Sequence, residues 1–372
     1  MDKKALLRVY ICLGLSSLIV YSLPVNAAED NMQVLAKAWK ERQERVRSMQ
    51  FTWTETRLHP RGIAPFVKGD DQRVRPKDMS YNVYHRLVID GEKMRYSYDG
   101  KTWKQDMMDV TDMNHISVFD GQTPKLLDKG VGLDYPIGAV LRDQRSPDVT
   151  QLQNIPVLLC YRAANPTMSP ITLANYSVSS EKATINGRLC IVLKEHPGLH
   201  NGVISIYVDP ERGYSIMRYT IGVNGNVQVQ LDLKYSSDSD SGWVPASWEL
   251  ALQSPSGLLQ QHSQSSVTIS KINPSIPPGE FQLDFPVGAW ITDQRTKRDN
   301  GDYVSFLVRS DGTERVVREN EVTVPHDQLM KTESRGILTA RWFIIINFIV
   351  LMTVVGYFLW KIVKKTRRAA SP

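Results

Sequence analysis

Three Asp-Gly pairs, Asp90-Gly91, Asp99-Gly100 and Asp120-Gly121, are the first candidates for chemistry in this sequence. Clustered aspartates can act as acid and base in hydrolysis, or hold a metal ion, if their carboxyl groups converge on one point. Asp-Gly is also the dipeptide that two-residue hairpin turns favour, because both central residues adopt positive φ. Strand-like segments flank each pair, so we interpret the pairs as hairpin turns whose tips hold the carboxylates apart.

The seven histidines form no recognised catalytic or metal-binding pattern. His196 and His200 are four residues apart, but Pro197 and Gly198 exclude the helix that would align two zinc ligands. The sequence has no GxSxG nucleophile elbow and no glycine-rich phosphate loop. The run SSDSDSG, residues 236–242, lacks the ligand spacing of a calcium loop. We therefore predict a protein that is not an enzyme and uses no metal or cofactor.

Positive charge is concentrated at the two ends of the chain. The 372 residues carry a formal net charge of +6, of which residues 1–28 contribute +2 and residues 361–372 contribute +5. The body of the chain is therefore nearly neutral, at −1. A nucleic-acid-binding protein needs a basic face, so the charge distribution argues against a nucleic-acid partner.

The N-terminus has the pattern of a secretory signal peptide. The basic segment MDKKALLR precedes the apolar VYICLGLSSLIVY and the small-residue site SLPVNA, which predicts cleavage after Ala27 or Ala28. A retained anchor is the alternative, but an apolar run of about 13 residues is short for a span. We expect residues 29–317, with a last hairpin at 281–317, to form an extracytoplasmic domain.

The C-terminal region has the pattern of a transmembrane helix. Residues 342–360 contain no charge, and a helix of this length, about 28 Å, matches the hydrocarbon core of a bilayer. The five cations in residues 361–372 predict a cytoplasmic tail. The chain is thus expected to be a single-pass protein of the cytoplasmic (inner) membrane, with a polar tether at 318–336 and a helix at 337–360. Asn347 could face a membrane-protein partner or be a lone tolerated amide.

Two cysteines remain after removal of the signal peptide, Cys160 and Cys190. An exported location permits a disulfide between them, which would stabilise the fold by about 3–4 kcal/mol. Both cysteines lie in apolar runs, where a free cysteine packs as a small hydrophobic residue. The sequence leaves the pairing open.

The body of the chain is predicted to be α+β. An amphipathic helix is expected at 31–48, and alternating apolar and polar residues separated by Asn-Gly or Asp-Gly pairs predict an antiparallel meander. In NVQVQLDLKY, for example, Leu231 and Leu233 share one face. Two short helices, near 136–144 and 149–163, interrupt the meander, and Pro156 would sit at the start of the second or kink it.

This order of elements resembles the fold of the bacterial lipoprotein-localisation factors LolA and LolB, which RseB-type stress regulators also use. The resemblance covers about residues 31–292. It rests on six segments, which are VLAKAWKERQERVRSMQFTWTET, HISVFDGQTPKLLD, INGRLCIVLKE, ISIYVDPERGYSIMRYT, SGWVPASWEL and PPGEFQLDFPVGAWITD.

The resemblance implies a large curved antiparallel sheet, an open half-barrel, whose apolar cavity is covered by a helical lid. Helix 31–48 and the segments within 136–163 would form the lid. Six apolar residues are candidates to line the cavity, although large side chains under a sheet also fill ordinary cores. They are Leu35, Trp39, Trp53, Phe119, Val157 and Leu158.

The function implied by the resemblance is non-catalytic binding of a lipid, a lipoprotein or another apolar ligand by a membrane-tethered domain. A C-terminal membrane helix departs from the family pattern, because the carriers are soluble shuttles or lipid-anchored receptors. The alternative is an envelope sensor, whose ectodomain and transmembrane helix contact a partner protein in the membrane.

Overall fold

A computed structural model describes most of the chain as two compact units. The described residues are 25–63, 74–75, 77–104, 109–130, 132–142, 155–163, 165, 168–169, 171–199, 202–239, 241–331, 345–353 and 355. The first unit comprises the described parts of 1–133 and 140–283, and the second those of 134–139 and 284–372. The predicted domain 29–317 is therefore divided between two units.

Within these ranges the chain forms eighteen β-strands, two α-helices whose bounds are fully described, and further helical stretches at 326–331 and 345–353. The helices are α1, Val25–Arg45, and α2, Pro156–Tyr161. The strands are β1 Ser48–His59, β2 Gly62–Ile63, β3 Val74–Arg75, β4 Met79–Asp90, β5 Lys93–Lys104, β6 Asp109–Phe119, β7 Pro124–Lys129, β8 Ile137–Val140, β9 Tyr176–Ile185, β10 Arg188–Glu195, β11 Val203–Asp209, β12 Ser215–Val223, β13 Asn226–Asp238, β14 Gly242–Gln253, β15 Leu259–Ile272, β16 Trp290–Lys297, β17 Tyr303–Val308 and β18 Glu314–Val316.

The first unit is built on a large antiparallel sheet, which confirms the predicted meander. Its strands follow the order β7-β6-β5-β4-β1-β15-β14-β13-β12-β11-β10-β9. Most neighbours in the sheet are also neighbours in the chain, and β1 joins the two halves by pairing with both β4 and β15. The short strands β2 and β3 form a separate ribbon.

Helices α1 and α2 pack on one face of this sheet, which we call the inner face. The strand residues that they contact alternate with exposed ones, as a half-buried strand requires. On β13, Leu231 and Leu233 are buried in the same apolar cluster as the helices, which confirms the predicted alternation. We call the opposite side the outer face.

Most of the predicted turns are confirmed. Asn186-Gly187 and Asn224-Gly225 have positive φ at both residues and connect β9 to β10 and β12 to β13. Asp120 Oδ1 accepts hydrogen bonds from the backbone N–H groups of Gln122 and Thr123, both at 2.8 Å. This aspartate therefore organises the turn between β6 and β7, and its carboxylate serves the local backbone.

The turn predicted at Asp99-Gly100 is wrong, because β5 runs through both residues. Gly100 has a φ of +146°, and a Cβ atom added there would lie 2.6 Å from the carbonyl oxygen of Asn82 on β4. The glycine is needed for the close approach of two strands rather than for a reversal of the chain.

The predicted helices are confirmed only in part. Helix α1 begins and ends earlier than the predicted 31–48, because β1 already starts at Ser48. The helix predicted at 136–144 is wrong, since Ile137–Val140 forms β8 next to β16. Within the second predicted helix, 149–163, the structure shows α2, which begins at Pro156. Proline has no backbone N–H, but at the first position of a helix this costs no helical hydrogen bond. Residues 143–154 lie outside the described ranges.

The second unit contains part of the predicted polar tether. Leu307, Val317 and Leu329 are buried together in one apolar cluster. His326 stacks on Tyr135 with ring centroids 3.8 Å apart. Within the predicted tether, Leu329 therefore packs into this unit, and the tether itself stays a prediction.

The two predicted membrane-related segments fall largely outside the described residues. Residues 1–24, most of the signal peptide, are among those not described. Residues 345–353 are helical, and their large aliphatic side chains are exposed. In the part of the chain that the structure describes, no helix combines the length and the apolarity that crossing a membrane requires.

We expect Gly100→Ala to destabilise the first unit, because the new Cβ would collide with the backbone of β4. The loss of unfolding free energy should be about 2–4 kcal/mol, measured by urea denaturation. Gly91→Ala is the matched control, since Gly91 also has positive φ but has no atom near the added Cβ. It should lose only about 1 kcal/mol, and equal losses in the two variants would contradict the steric explanation.

Candidate binding site on the inner face

The structure brings all six predicted ligand-contact residues into one apolar cluster. Leu35 and Trp39 come from α1, and Val157 and Leu158 come from α2. Trp53 on β1 and Phe119 on β6 complete the set, and no member is more than 8% exposed. In this arrangement they fill the layer between the helices and the inner face. Their contact with a ligand stays a prediction.

Helix α1 is fixed to the sheet by hydrogen bonds to backbone carbonyl groups. Trp39 Nε1 donates to the oxygen of Tyr214 at 2.8 Å. Arg42 donates to the oxygen of Cys160 on α2 at 3.1 Å, and to that of Gly213. These contacts join α1 to α2 and to the turn before β12, so the two helices form one connected cover.

The two cysteines are free, and the disulfide that the sequence left open is not formed. Cys160 belongs to the cluster between helices and sheet, whereas Cys190 packs with Ile185 and Met217 in a different cluster. Burial raises the pKa of Cys160 to about 12 and that of Cys190 to about 11. Both thiols therefore stay protonated and unreactive near neutral pH.

A buried polar network adjoins the apolar cluster on the same face, and the sequence interpretation missed it. Strand alternation places Glu55 and Arg57 on the same side of β1 as Trp53. The signal was visible in FTWTETR, where the charged residues Glu55 and Arg57 recur in phase with Trp53. His85 on β4 and Tyr96 on β5 complete the network.

The centre of the network is a buried ion pair. Arg57 donates to both carboxylate oxygens of Glu55, at 3.2 and 2.7 Å. Burial alone would raise the pKa of Glu55, but Arg57 and His85 outweigh it and hold that pKa well below its usual range. Burial also opposes the charge of Arg57, yet Glu55 keeps its pKa raised. Both side chains therefore remain ionised inside the protein.

His85 extends the network to a hydroxyl group. Its Nε2 lies 2.9 Å from Glu55 Oε2, and its Nδ1 lies 3.0 Å from the hydroxyl of Tyr96. Burial lowers the pKa of His85, so the ring is neutral, donates to Glu55 and accepts from Tyr96. Carboxylate, imidazole and hydroxyl occur in the order of a catalytic triad. Tyr96 is only 2% exposed and His85 only 4%, so in this structure a substrate has no access to them.

Further histidines continue the polar region on both sides. His59 Nε2 lies 2.8 Å from the hydroxyl of Tyr81. His115 Nδ1 lies 2.6 Å from Asp128, and its ring stacks on Tyr98. The contact with Tyr81 or Asp128 fixes the position of each imidazole ring. A ring fixed in this way can orient a polar group beside it.

Trp53 forms the border between the apolar cluster and the polar network. Its ring stacks on His85 with centroids 4.9 Å apart and meets Trp248 edge-on at 5.3 Å. The inner face thus changes from apolar to polar across one tryptophan side chain.

Only one member of the histidine pair considered in the sequence falls within the described residues. His196 is exposed, and His200 lies outside the described ranges. Among the described residues, no three His, Cys, Asp or Glu side chains come together as a metal site requires.

No family model matches the sequence, and no curated protein does either. Among solved structures, the chain is similar to a LolA superfamily protein from Nitrosomonas europaea, with 12% sequence identity and a TM-score of 0.36. The similarity covers 67% of this chain and 98% of that one. Values this low assign neither a family nor a function.

We expect acid to destabilise the first unit through His59. Burial, together with the nearby cations Arg75 and Arg57, lowers the pKa of His59 from 6.5 to about 4. The unfolded chain therefore binds the proton more readily, and unfolding free energy falls as pH drops from 6.5 to 4. The loss due to this group is up to about 3 kcal/mol.

Urea denaturation at several pH values measures this effect. His59→Gln should flatten the dependence between pH 6.5 and 4, whereas the exposed His196→Gln should leave it unchanged. An unaltered slope in His59→Gln would show that His59 titrates alike in the folded and unfolded states.

Proposed function

We propose that the first unit is a non-catalytic binding domain for a lipid, a lipoprotein or another apolar ligand. The ligand would lie between the inner face and the cover formed by α1 and α2. The observation that carries this proposal is the convergence of six apolar side chains from two helices and two strands in that layer. The LolA-like element order of the sequence agrees with it.

Binding requires the cover formed by α1 and α2 to separate from the sheet. The contacts between the cover and the sheet are of a kind that contacts with a ligand can replace. Every residue of the short helix α2 is buried, so it is held mainly by apolar contacts. An acyl chain would replace these contacts with contacts of the same kind, each buried methylene being worth about 0.8 kcal/mol. The hydrogen bonds of Trp39 and Arg42 to backbone carbonyls would re-form when the cover closes.

The polar side of the layer suits the other end of an amphipathic ligand. Beyond Trp53, the inner face presents His85 and Tyr98 at the border of the apolar cluster. On β15, Ser265 is buried, and its hydroxyl has no hydrogen-bond partner among the described residues. A polar head group would satisfy such a hydroxyl, which otherwise loses its bond to water.

We further propose that the chain is tethered to the cytoplasmic membrane by a single C-terminal span, with both units outside the cytoplasm. The uncharged run 342–360 and the five cations after it support this proposal. The exposed aliphatic side chains of residues 345–353 support it as well, since bulk water disfavours such a surface.

Native mass spectrometry with lipid extraction tests the binding proposal on the full chain in detergent. We expect a stoichiometric acyl-chain ligand, and we expect Leu35→Gln to lose it, because a polar group would enter the apolar layer. Val34→Gln is the matched control, because Val34 is the preceding residue of α1 and is exposed. A thermal melt of each variant confirms that it is folded.

Equal lipid content in folded Leu35→Gln and Val34→Gln would overturn the binding proposal. A clean ligand-free mass from folded protein would overturn it too. In that case the sensor alternative predicts a membrane protein that crosslinks to the full chain through residues 337–372.

Membrane fractionation tests the tether. The full chain should stay in the pellet after an alkaline carbonate wash, whereas a chain that ends at residue 336 should be released. A full chain that the wash also releases would contradict a spanning helix.

A further inference from the structure

The outer face carries a depression of about 380 Å³, on the side of the sheet opposite α1 and α2. One row of lining residues crosses four adjacent strands. Thr54 on β1 pairs with Tyr84 on β4, which pairs with Asp99 on β5 and, through it, with Asn114 on β6. At the usual strand spacing the row is about 14 Å long.

A second row lies beside the first and carries three hydroxyl side chains, one more than the first. Thr52 pairs with Arg86, and Arg86 pairs with Ser97. Thr268 on β15 extends this row, since its Oγ1 lies 2.8 Å from Thr52 Oγ1. The depression is therefore an open, shallow surface with hydrogen-bonding groups at regular spacing.

The lining of the depression disfavours anionic ligands and apolar ligands. Arg86 pairs with Glu280, with Nη2 to Oε2 at 3.1 Å, and Glu280 also lies 3.7 Å from Arg95. These three groups together therefore carry one positive charge, which the carboxylate of Asp99 balances. Asp99, next to Asn114, would repel an anion. An apolar ligand would cover the hydroxyl groups without bonding to them, which costs free energy. An uncharged ligand with many hydroxyl groups fits this lining.

Tyr84 adds an aromatic surface within the first row. Its side chain is 58% exposed, although large aromatic residues are usually buried. An exposed ring can stack against the C–H face of a pyranose while the neighbouring polar groups bond to the hydroxyls.

We propose that this depression binds a neutral, linear, β-1,4-linked oligosaccharide. The extended chain of such a sugar can follow the 14 Å row of about four strands, with one ring on Tyr84 and hydroxyls bonded to Thr54, Asp99 and Asn114. The side chains named here lie on the face of the sheet opposite the proposed lipid site, although the depression also touches Trp53, His85 and Tyr98, which border that site.

Saturation-transfer NMR and calorimetry on the full chain, with cellohexaose and chitohexaose as probes, test the proposal. We expect at least one probe to bind, and Tyr84→Ala to weaken it roughly tenfold, because the stacking surface is lost. Tyr84→Phe keeps the ring and should retain the affinity. Tyr303→Ala, which removes another exposed tyrosine, serves as the control.

Two results would overturn the proposal. One is the absence of saturation transfer from the full chain to both probes at about 10 mM, a concentration that would reveal even weak binding. The other is unchanged affinity in folded Tyr84→Ala, which would place the sugar elsewhere. Lipid content should be the same in Tyr84→Ala as in the unaltered chain, so failure of one site is distinguishable from failure of the other.

Discussion

The pairing of β1 with β15 is the interaction on which the first unit depends. It joins Met49 near the start of the chain to Ile272 near the end of the unit, while the other side of β1 pairs with β4. Without β1 the sheet would be two separate meanders. The same strand contributes Trp53 to the apolar cluster, Glu55 and Arg57 to the polar network, and Thr52 and Thr54 to the outer depression. If β1 slipped by one residue in its register, Trp53, Glu55 and Arg57 would move to the outer face, and Thr52 and Thr54 would move to the inner face.

The buried network gives a physical reason for this register. Taking Glu55 and Arg57 out of water is costly, and the cost is offset only when all their partners are in place. His85 supplies one of these partners from β4, so the hydrogen bond between Glu55 and His85 forms only in the observed alignment of β1 with β4. Buried ion pairs of this kind contribute little net stability. We therefore attribute to the network a role in specifying the register of β1, and not a large contribution to the free energy of unfolding.

Features set by local sequence were predictable, and features set by distant contacts were not. The turns at Asn186-Gly187 and Asn224-Gly225 depend on two residues, and the alternation of β13 depends on one segment. Gly100 was misinterpreted because its role arises from Asn82 on another strand. Helix 136–144 was wrong because β16, far along the chain, holds that segment as a strand. The polar network was missed because His85 and Tyr96 reach Glu55 only through strand pairing.

Strand β9 lies at one end of the strand order, so one side of its backbone has no strand beside it within the described sheet. Such an edge can recruit a strand from a second molecule and start aggregation. The exposed Glu181 and Lys182 lie in the middle of β9, and Glu181 pairs with Lys194 on β10. A molecule that added to this edge would have to cover these charges. Glu181 and Lys182 therefore disfavour self-association of the large sheet at this edge. Neither residue takes part in either proposed site.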